Sequence, residues 1–344
     1  TGLTIIASDA MLGPGAQWRP AWQRKTRLAE QDSDEDLKTR VAWLYYMEGM
    51  TQDDVAQAVG LTRSRVLRIL AGARNDGSVQ IKVTTRLSSC VALERRLEEL
   101  AGLERAIVVP TPTAGADLNS IIGMELARYL NASVGPDISI GLGWGTTLVS
   151  GVPAIEQRPP NGLKVISLLG GLTRVSQVNP SEFAWRVADK LSAECFLMAG
   201  PVFAPDGATR DALLAHRGIA QVIDRARALD MAILSVGDLT PQSIFAQYGL
   251  LTSDEIASLQ RAGAVGDMLC RFIDANGEIV DHPVNDRVFA VHPHDLRQAR
   301  KLVLASGGWH KYTIIRAAMK ILPPAVLVTD EDIAKQLCED LAEA

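Results

Sequence analysis

The sequence predicts an α/β protein with two parts. A small N-terminal helix-turn-helix domain precedes a Rossmann-like domain built on a mostly parallel sheet. Three observations carry that expectation. From Ala106 onward, short apolar runs alternate with amphipathic helical stretches, as buried parallel strands joined by crossover helices do. Glycine-rich turns follow several of those runs, where strand hands over to helix. Before residue 87 the chain reads instead as short helices separated by glycines and capping residues. At 344 residues the chain has room for about two domains.

Composition narrows the class. Hydrophobic residues make up 47% and charged residues 22%, which excludes collagen-like, low-complexity and wholly disordered chains. No apolar run approaches a membrane span, and Thr1–Ala7 lacks the basic flank and long apolar stretch of a leader. Cys90, Cys195, Cys270 and Cys338 stand far apart, so neither a zinc site nor a disulfide framework is expected. A soluble cytoplasmic protein follows, with no membrane partner. His292-Pro-His294 has no neighbouring ligand residue. Accordingly no metal and no cofactor are expected.

Taken in order, residues 1–35 read as a flexible tail, broken by Gly13-Pro14-Gly15, Pro20 and the acidic run Asp32–Asp36. Leu37, Val41, Leu44 and Tyr45 then share one helical face. Thr51 opens a second helix, with Asp54 as its capping-box-like partner and Val55, Ala56 and Val59 inside. Gly60 supplies the turn, where positive φ is cheap. Thr62 caps a third helix whose Val66, Ile69 and Leu70 face inward. Val79–Val83 alternates like a short strand. Later strand candidates are Ala106–Val109, Ile138–Leu142, Lys164–Leu169, Cys195–Met198, Met231–Val236, Leu302–Ala305 and Ala325–Val328. Leu269–Val280 reads as a hairpin with Asn276-Gly277 at its turn.

Thr51–Leu70 carries the first chemistry. With its apolar positions turned inward, Arg63, Ser64, Arg65 and Arg68 lie outward on the second helix of the motif. Such residues reach base edges in the major groove, or phosphates beside it. Thr51, Gln52 and Thr62, at the two helix starts, complete the candidate contacts to double-stranded operator DNA. Residues 62–86 carry a net +5. A solvated basic hairpin is the alternative reading. One such unit normally acts on a pseudo-palindrome as part of a dimer.

The second chemistry is a set of glycine turns. In Gly141-Leu-Gly143-Trp144-Gly145-Thr146-Thr147 the glycines admit a ligand close to the backbone, and the threonines add hydroxyls. The segment fits neither the P-loop nor the dinucleotide fingerprint. Gly170-Gly171-Leu-Thr-Arg174 and Ser306-Gly-Gly-Trp-His-Lys311 are similar turns, each with a cation nearby. Together they suit a phosphorylated or polyhydroxylated small molecule, although each could be a purely structural turn. Asp238 and Asp267 are candidates to bind hydroxyls or to act as acid or base, or simply to cap turns.

These motifs together resemble the SorC family of bacterial sugar-responsive transcriptional regulators, over about residues 37–342. The most specific are Gly141–Thr147, Leu169-Gly-Gly-Leu172, Val236-Gly-Asp238, Gly266–Phe272 with Asp274 and Gly277, and Ser306–Lys311. Arg40–Met47 and Val91–Arg95 look most like the polyol regulators of erythritol operons. The resemblance implies an effector domain of the sugar-phosphate isomerase and deaminase type, without that activity and so without catalytic residues. It implies that Gly145, Thr146, Thr147, Arg174 and Lys311 hold the effector's phosphate or hydroxyls. It also implies a homo-oligomer, dimer or tetramer, that leaves or rearranges on DNA when a sugar, sugar phosphate or polyol binds.

The expected organisation is a tail over 1–35, a DNA-binding domain over 36–86 and an effector domain over 87–344. The net charge of -5 divides among them as -1, +3 and -7. An overall acidity that argues weakly against nucleic acid therefore conceals a basic segment that argues for it. The alternative is a sugar-phosphate isomerase or deaminase with an accessory DNA-binding domain, in which Asp238 or Asp267 would be the general base.

Overall fold

Among the described residues, three helices and a pair of two-residue strands make up the first of two units, Thr1–Thr85 and Arg86–Ala344. The computed structural model describes residues 3–4, 34–79, 82–83, 88–112, 117–173 and 178–343. Helices α1 (Asp34–Tyr46), α2 (Gln52–Val59) and α3 (Arg63–Asn75) pack through Val41, Ala42, Val55, Ala56, Val66 and Leu70. Thr51 accepts from the Asp54 backbone and Thr62 from the Arg65 backbone, so each caps its helix. Gly60 closes α2 at φ +69, its N–H donating to the Ala56 carbonyl, a conformation glycine adopts without strain. Of the strand expected over Val79–Val83, Lys82–Val83 (β2) pairs antiparallel with Leu3–Thr4 (β1). The rest of the tail expected before Asp34 lies outside the described residues.

The second unit contains ten strands among the described residues. They are β3 (Arg105–Val109), β4 (Ser139–Leu142), β5 (Lys164–Gly171), β6 (Glu194–Pro201), β7 (Met231–Leu234), β8 (Val236–Gly237), β9 (Ala264–Met268), β10 (Arg271–Asp274), β11 (Lys301–Ala305) and β12 (Val326–Asp330). Seven form one parallel sheet in the order β3-β12-β11-β7-β4-β5-β6. From β4 the chain winds outward through β5 and β6. It then returns to β7, on the other side of β4, and winds the opposite way. The direction thus reverses between β4 and β7. The crevice beyond the carboxyl ends at such a point is where open α/β sheets take ligands.

Helices cover both faces of this sheet. On one face, α5 (Leu118–Ser133), α6 (Thr146–Gly151) and α7 (Pro180–Leu191) bury Ile122, Leu126, Leu148, Phe183 and Val187 against Ile107, Ile140 and Ile233. On the other, α4 (Ser88–Ala101) contributes Leu97, and α8 (Gly207–Leu214) leads into α9 (Arg217–Ala226) with Ile219 and Val222. The short α10 (Ile244–Gln247), α11 (Ser253–Arg261) and α12 (Pro283–Asp286) pack around the smaller sheet through Phe245, Leu259 and Val284. Helices α13 (Tyr312–Ile321) and α14 (Glu331–Glu343) complete that face with Ile314, Ile315, Ile333 and Leu337. The edge strand β3 is blunted by α4, whose Glu98 and Glu94 accept from the Ala106 and Val108 backbones at 2.9 and 3.0 Å.

One strand expectation requires correction. Met231–Val236 is not one strand. β7 ends at Leu234, and after Ser235 the chain enters β8, which pairs antiparallel with β9 in a separate three-stranded sheet. The hairpin expected over Leu269–Val280 is present, with Ile273 bridging Ile279 across the Asn276-Gly277 turn, and it is preceded by a second hairpin, β9–β10, that turns at Leu269-Cys270. Both residues have positive φ, as a two-residue primed turn demands. The Asp267 carboxylate makes this sequence tolerable by accepting from the Cys270 backbone at 2.8 Å.

The glycine turn after β4 is held by the α5–α6 crossing. A β-carbon on Gly123 would come within 2.6 Å of the Gly151 nitrogen and 2.7 Å of the Thr147 carbonyl. Both obstacles are backbone, so the helices would have to separate. Gly123→Ala is therefore expected to destabilise the protein by about 2 kcal/mol, read as a lowered urea midpoint. A midpoint within error of the parent would show that the crossing is loose.

Candidate functional site

In the first unit, the side chains of α3 sort by angle. At about 100° per residue, Arg63, Ser64, Leu67 and Arg68 fall within an arc of about 140°. All four are exposed, whereas Ala73, Val66 and Leu70, which follow on the adjoining part of the helix surface, are buried. Arg65 is exposed too, but it lies at the flank of this face. Gln52 accepts from Arg63 Nε at 3.3 Å, and Asp53 lies 3.7 Å from Arg63 Nη1. The start of α2 thereby holds the first residue of α3. The Thr51 hydroxyl donates to the Asp54 carboxylate at 2.6 Å, and that of Thr62 sits 3.2 Å from Ser64 Oγ. Both threonines are thus occupied in capping.

In the second unit, strand order brings the glycine turns together. β11, β7, β4 and β5 are consecutive in the sheet, so their carboxyl ends form one rim. That rim presents Ser306–Lys311, Ser235–Asp238, Gly143–Thr147 and Gly170–Leu172 in turn. Gly145, at φ +149, faces Ser235 across the point of reversal. A β-carbon there would lie 3.2 Å from the Ser235 β-carbon. The hydroxyls of Ser235 and Ser306 are buried without a hydrogen-bond partner among the described residues. Buried polar groups are rarely left unpaired, and these two lie at the end of the sheet where the glycine turns emerge.

The rim also holds buried charge. Lys311, Asp238 and Asp267 are each at most 9% exposed. Burial lowers the Lys311 pKa, and the Asp238 and Asp267 carboxylates beside it oppose that shift. Burial pushes Asp267 up to about 7, against the lowering effect of the Cys270 and Gly237 backbone donors and of Lys311. Asp238 accepts from the Thr240 backbone at 2.7 Å and lies 3.6 Å from His310 Nε2. Asp330, at the end of β12, accepts from the Gly308 backbone at 2.7 Å and from the Asp332 and Ile333 backbones at 3.2 Å. It sets the turn that carries Lys311. A desolvated cation near two carboxylates is suited to gripping a ligand's hydroxyls or an acidic group.

Some expected residues have other tasks. Trp144 is buried, donates from Nε1 to the Val178 carbonyl and packs edge-on against Phe245 at 6.3 Å. Its indole is part of the core and not an open stacking surface. Thr147 is buried and donates to Asn119 Oδ1 at 2.7 Å, so its hydroxyl already has an acceptor. Thr146 opens α6, whose first N–H groups have no side-chain cap. Gly143 continues β4, donating to the Ile233 carbonyl at 2.8 Å. Gly171 packs beneath Asn179, which bonds Leu172 from both its oxygen and its nitrogen. Arg174 lies outside the described residues. His292 caps the His294 backbone at 3.2 Å, and among the described residues no group of three or more His, Cys, Asp or Glu side chains could hold a metal ion.

Sequence reasoning placed Ser306 and His310 within the third glycine turn without giving them a role, and it missed Ser235 and Asn119. Ser235 directly follows an apolar strand, a position that could have marked it. Asn119 carries no local signal, because it approaches the rim only through tertiary packing.

The aspartate gives a test. Its unfolded counterpart ionises near pH 4, but Asp267 in the folded protein does so at about 7. Between those values the folded state binds the extra proton, so stability falls as pH rises through this window. Asp267→Asn should flatten that slope in unfolding experiments run from pH 4.5 to pH 7.5. Equal slopes for the two proteins would show that Asp267 ionises normally.

Comparison with known proteins agrees with this architecture. The family described as "Putative sugar-binding domain" matches residues 85–339. The erythritol catabolism regulatory protein EryD of Brucella abortus is 33% identical over 308 residues, 89% of this chain and 97% of that protein. The deoxyribonucleoside regulator of Bacillus subtilis is 29% identical, over 89% and 98%. The full-length sorbitol operon regulator SorC from Klebsiella pneumoniae superimposes with a TM-score of 0.66 at 26% identity, covering 89% of this chain and all of that one. Among the described residues no helix is long and apolar enough to cross a membrane. With this domain, these full-length relatives and this fold, the chain belongs to the SorC family of sugar-binding transcriptional regulators.

Proposed function

We propose that this protein regulates a carbohydrate or polyol catabolic operon, with α3 on duplex operator DNA and a sugar, sugar phosphate or polyol at the rim of the parallel sheet. The observation that carries this is the rim itself. Four adjacent strands present three glycine turns, two buried serines with no hydrogen-bond partner among the described residues, and Lys311 near Asp238 and Asp267. The names of EryD and SorC, erythritol and sorbitol regulators, support a polyol or its phosphate. Gly145, Thr146 and Lys311 are the groups best placed to engage it, with Asp238 and Asp267 on its hydroxyls. Gly143, Trp144, Thr147 and Gly171 shape the turns around them.

Regulation follows by linkage. The effector favours one arrangement of a homo-oligomer and operator DNA the other, so each weakens the other's binding. The outward face of α3 supplies base contacts through Arg63, Ser64 and Arg68. Arg65, at its flank, suits a phosphate, and the N-terminal turns of α2 and α3 set their approach. The protein acts without turnover. One observation favours an isomerase or deaminase reading: a buried aspartate ionising near 7 beside a desolvated lysine is poised for proton transfer. Conversion of a sugar phosphate by the purified protein, lost in Asp267→Asn, would establish that reading instead.

Two variants separate the roles. Arg68→Ala should weaken binding to the protein's own promoter fragment about tenfold and leave effector-induced thermal stabilisation intact. Lys311→Met should bind the fragment normally and no longer release it with effector. The reverse pattern would overturn the placement of both sites. A parent protein that retards no such fragment at low salt would overturn DNA binding altogether.

A further inference from the structure

Leu67 stands out on the exposed face of α3. Its side chain is 42% exposed, one turn beyond Arg63 and Ser64 and directly before Arg68. Scattered exposed leucines are ordinary. This one lies inside an otherwise polar arc, between Arg63 and Ser64 in angle and about 60° around the helix from the buried Leu70. It belongs to no core cluster. The helix stays anchored without it, because Val66 and Leu70 already fill the contact with α1 and α2.

The surrounding charge selects the occupant. Arg63 and Arg68 bracket Leu67, and the segment 62–86 carries +5. A second copy of the same face would bring arginine against arginine. A partner able to meet this surface must be anionic overall and still offer a small apolar spot between its polar groups. Duplex DNA does both: phosphates line the groove, and each thymine projects a C5-methyl into the major groove between hydrogen-bonding edges. The hold of Gln52 and Asp53 on Arg63 is solvent-exposed and weak, so a guanine or phosphate can replace it without disturbing the helix.

We infer that Leu67 is a specificity-determining residue that reads a thymine methyl in each half-site, while Arg63 and Arg68 read or clamp the neighbouring positions. The inference rests on the proposal that α3 binds DNA, and it adds a base preference that arginines alone do not supply.

The test uses the full-length protein and duplexes selected from a randomised library. In the best-bound duplex each thymine is replaced singly by deoxyuridine, which removes only the methyl. One replacement per half-site should weaken the parent about fourfold, the value of one buried methyl. Leu67→Ala should bind the two duplexes equally, with an unchanged melting temperature because the side chain is exposed. If sequences are selected but no thymine shows a methyl effect that depends on Leu67, this inference fails and DNA binding by α3 stands. If no sequence is selected at all, both fail.

Discussion

Parallel pairing is the constraint on which the second unit depends. A strand can lie parallel to its predecessor only if the chain returns across a face of the sheet, so the carboxyl end of every strand emerges on the same edge. Seven strands obey this, and helices bury both faces. The glycine turns after β4, β5 and β11, far apart in sequence, therefore open onto one edge. The reversal between β4 and β7 then separates the crossover helices at one point along that edge. There the Gly145 backbone can face Ser235 with no side chain between them.

Around that point the structure accepts local costs. Lys311, Asp238 and Asp267 are withdrawn from water, which is unfavourable for each taken alone. Their mutual attraction and the backbone donors of Cys270 and Gly237 offset part of this. Leu269 and Cys270 adopt positive φ to bring the Cys270 N–H onto Asp267. Strain and buried charge thus meet at one end of the sheet, as they do where a fold is organised around a ligand. The crossing at Gly123 and the Asp330 clamp on Gly308 hold the surrounding turns in place.

The first unit relies on a different balance. Its core is small, and its helices are defined by Thr51, Thr62 and Gly60 as much as by packing. Small stable cores leave one face of the last helix free, and here that face combines arginines with a leucine. The charge is suited to holding a nucleic acid, and the leucine to distinguishing one sequence from another.

Much of this was legible in the residues. Capping threonines, Gly60 and the period of Val55, Ala56, Val66 and Leu70 determine the helix-turn-helix locally, because each helix end and each buried stripe is set within a few residues. The seven sheet strands could be read as apolar runs between helices for the same reason. Tertiary structure alone decided the rest. It took Val236 out of the main sheet to pair with β9, and it added a hairpin turn at Leu269-Cys270, where Asp267 accepts from the Cys270 backbone. It buried Trp144 against Phe245 and gave the Thr147 hydroxyl to Asn119. It also brought Lys311 near Asp238 and Asp267. These outcomes depend on which distant groups compete for the same donor, acceptor or volume, and no local pattern records that competition.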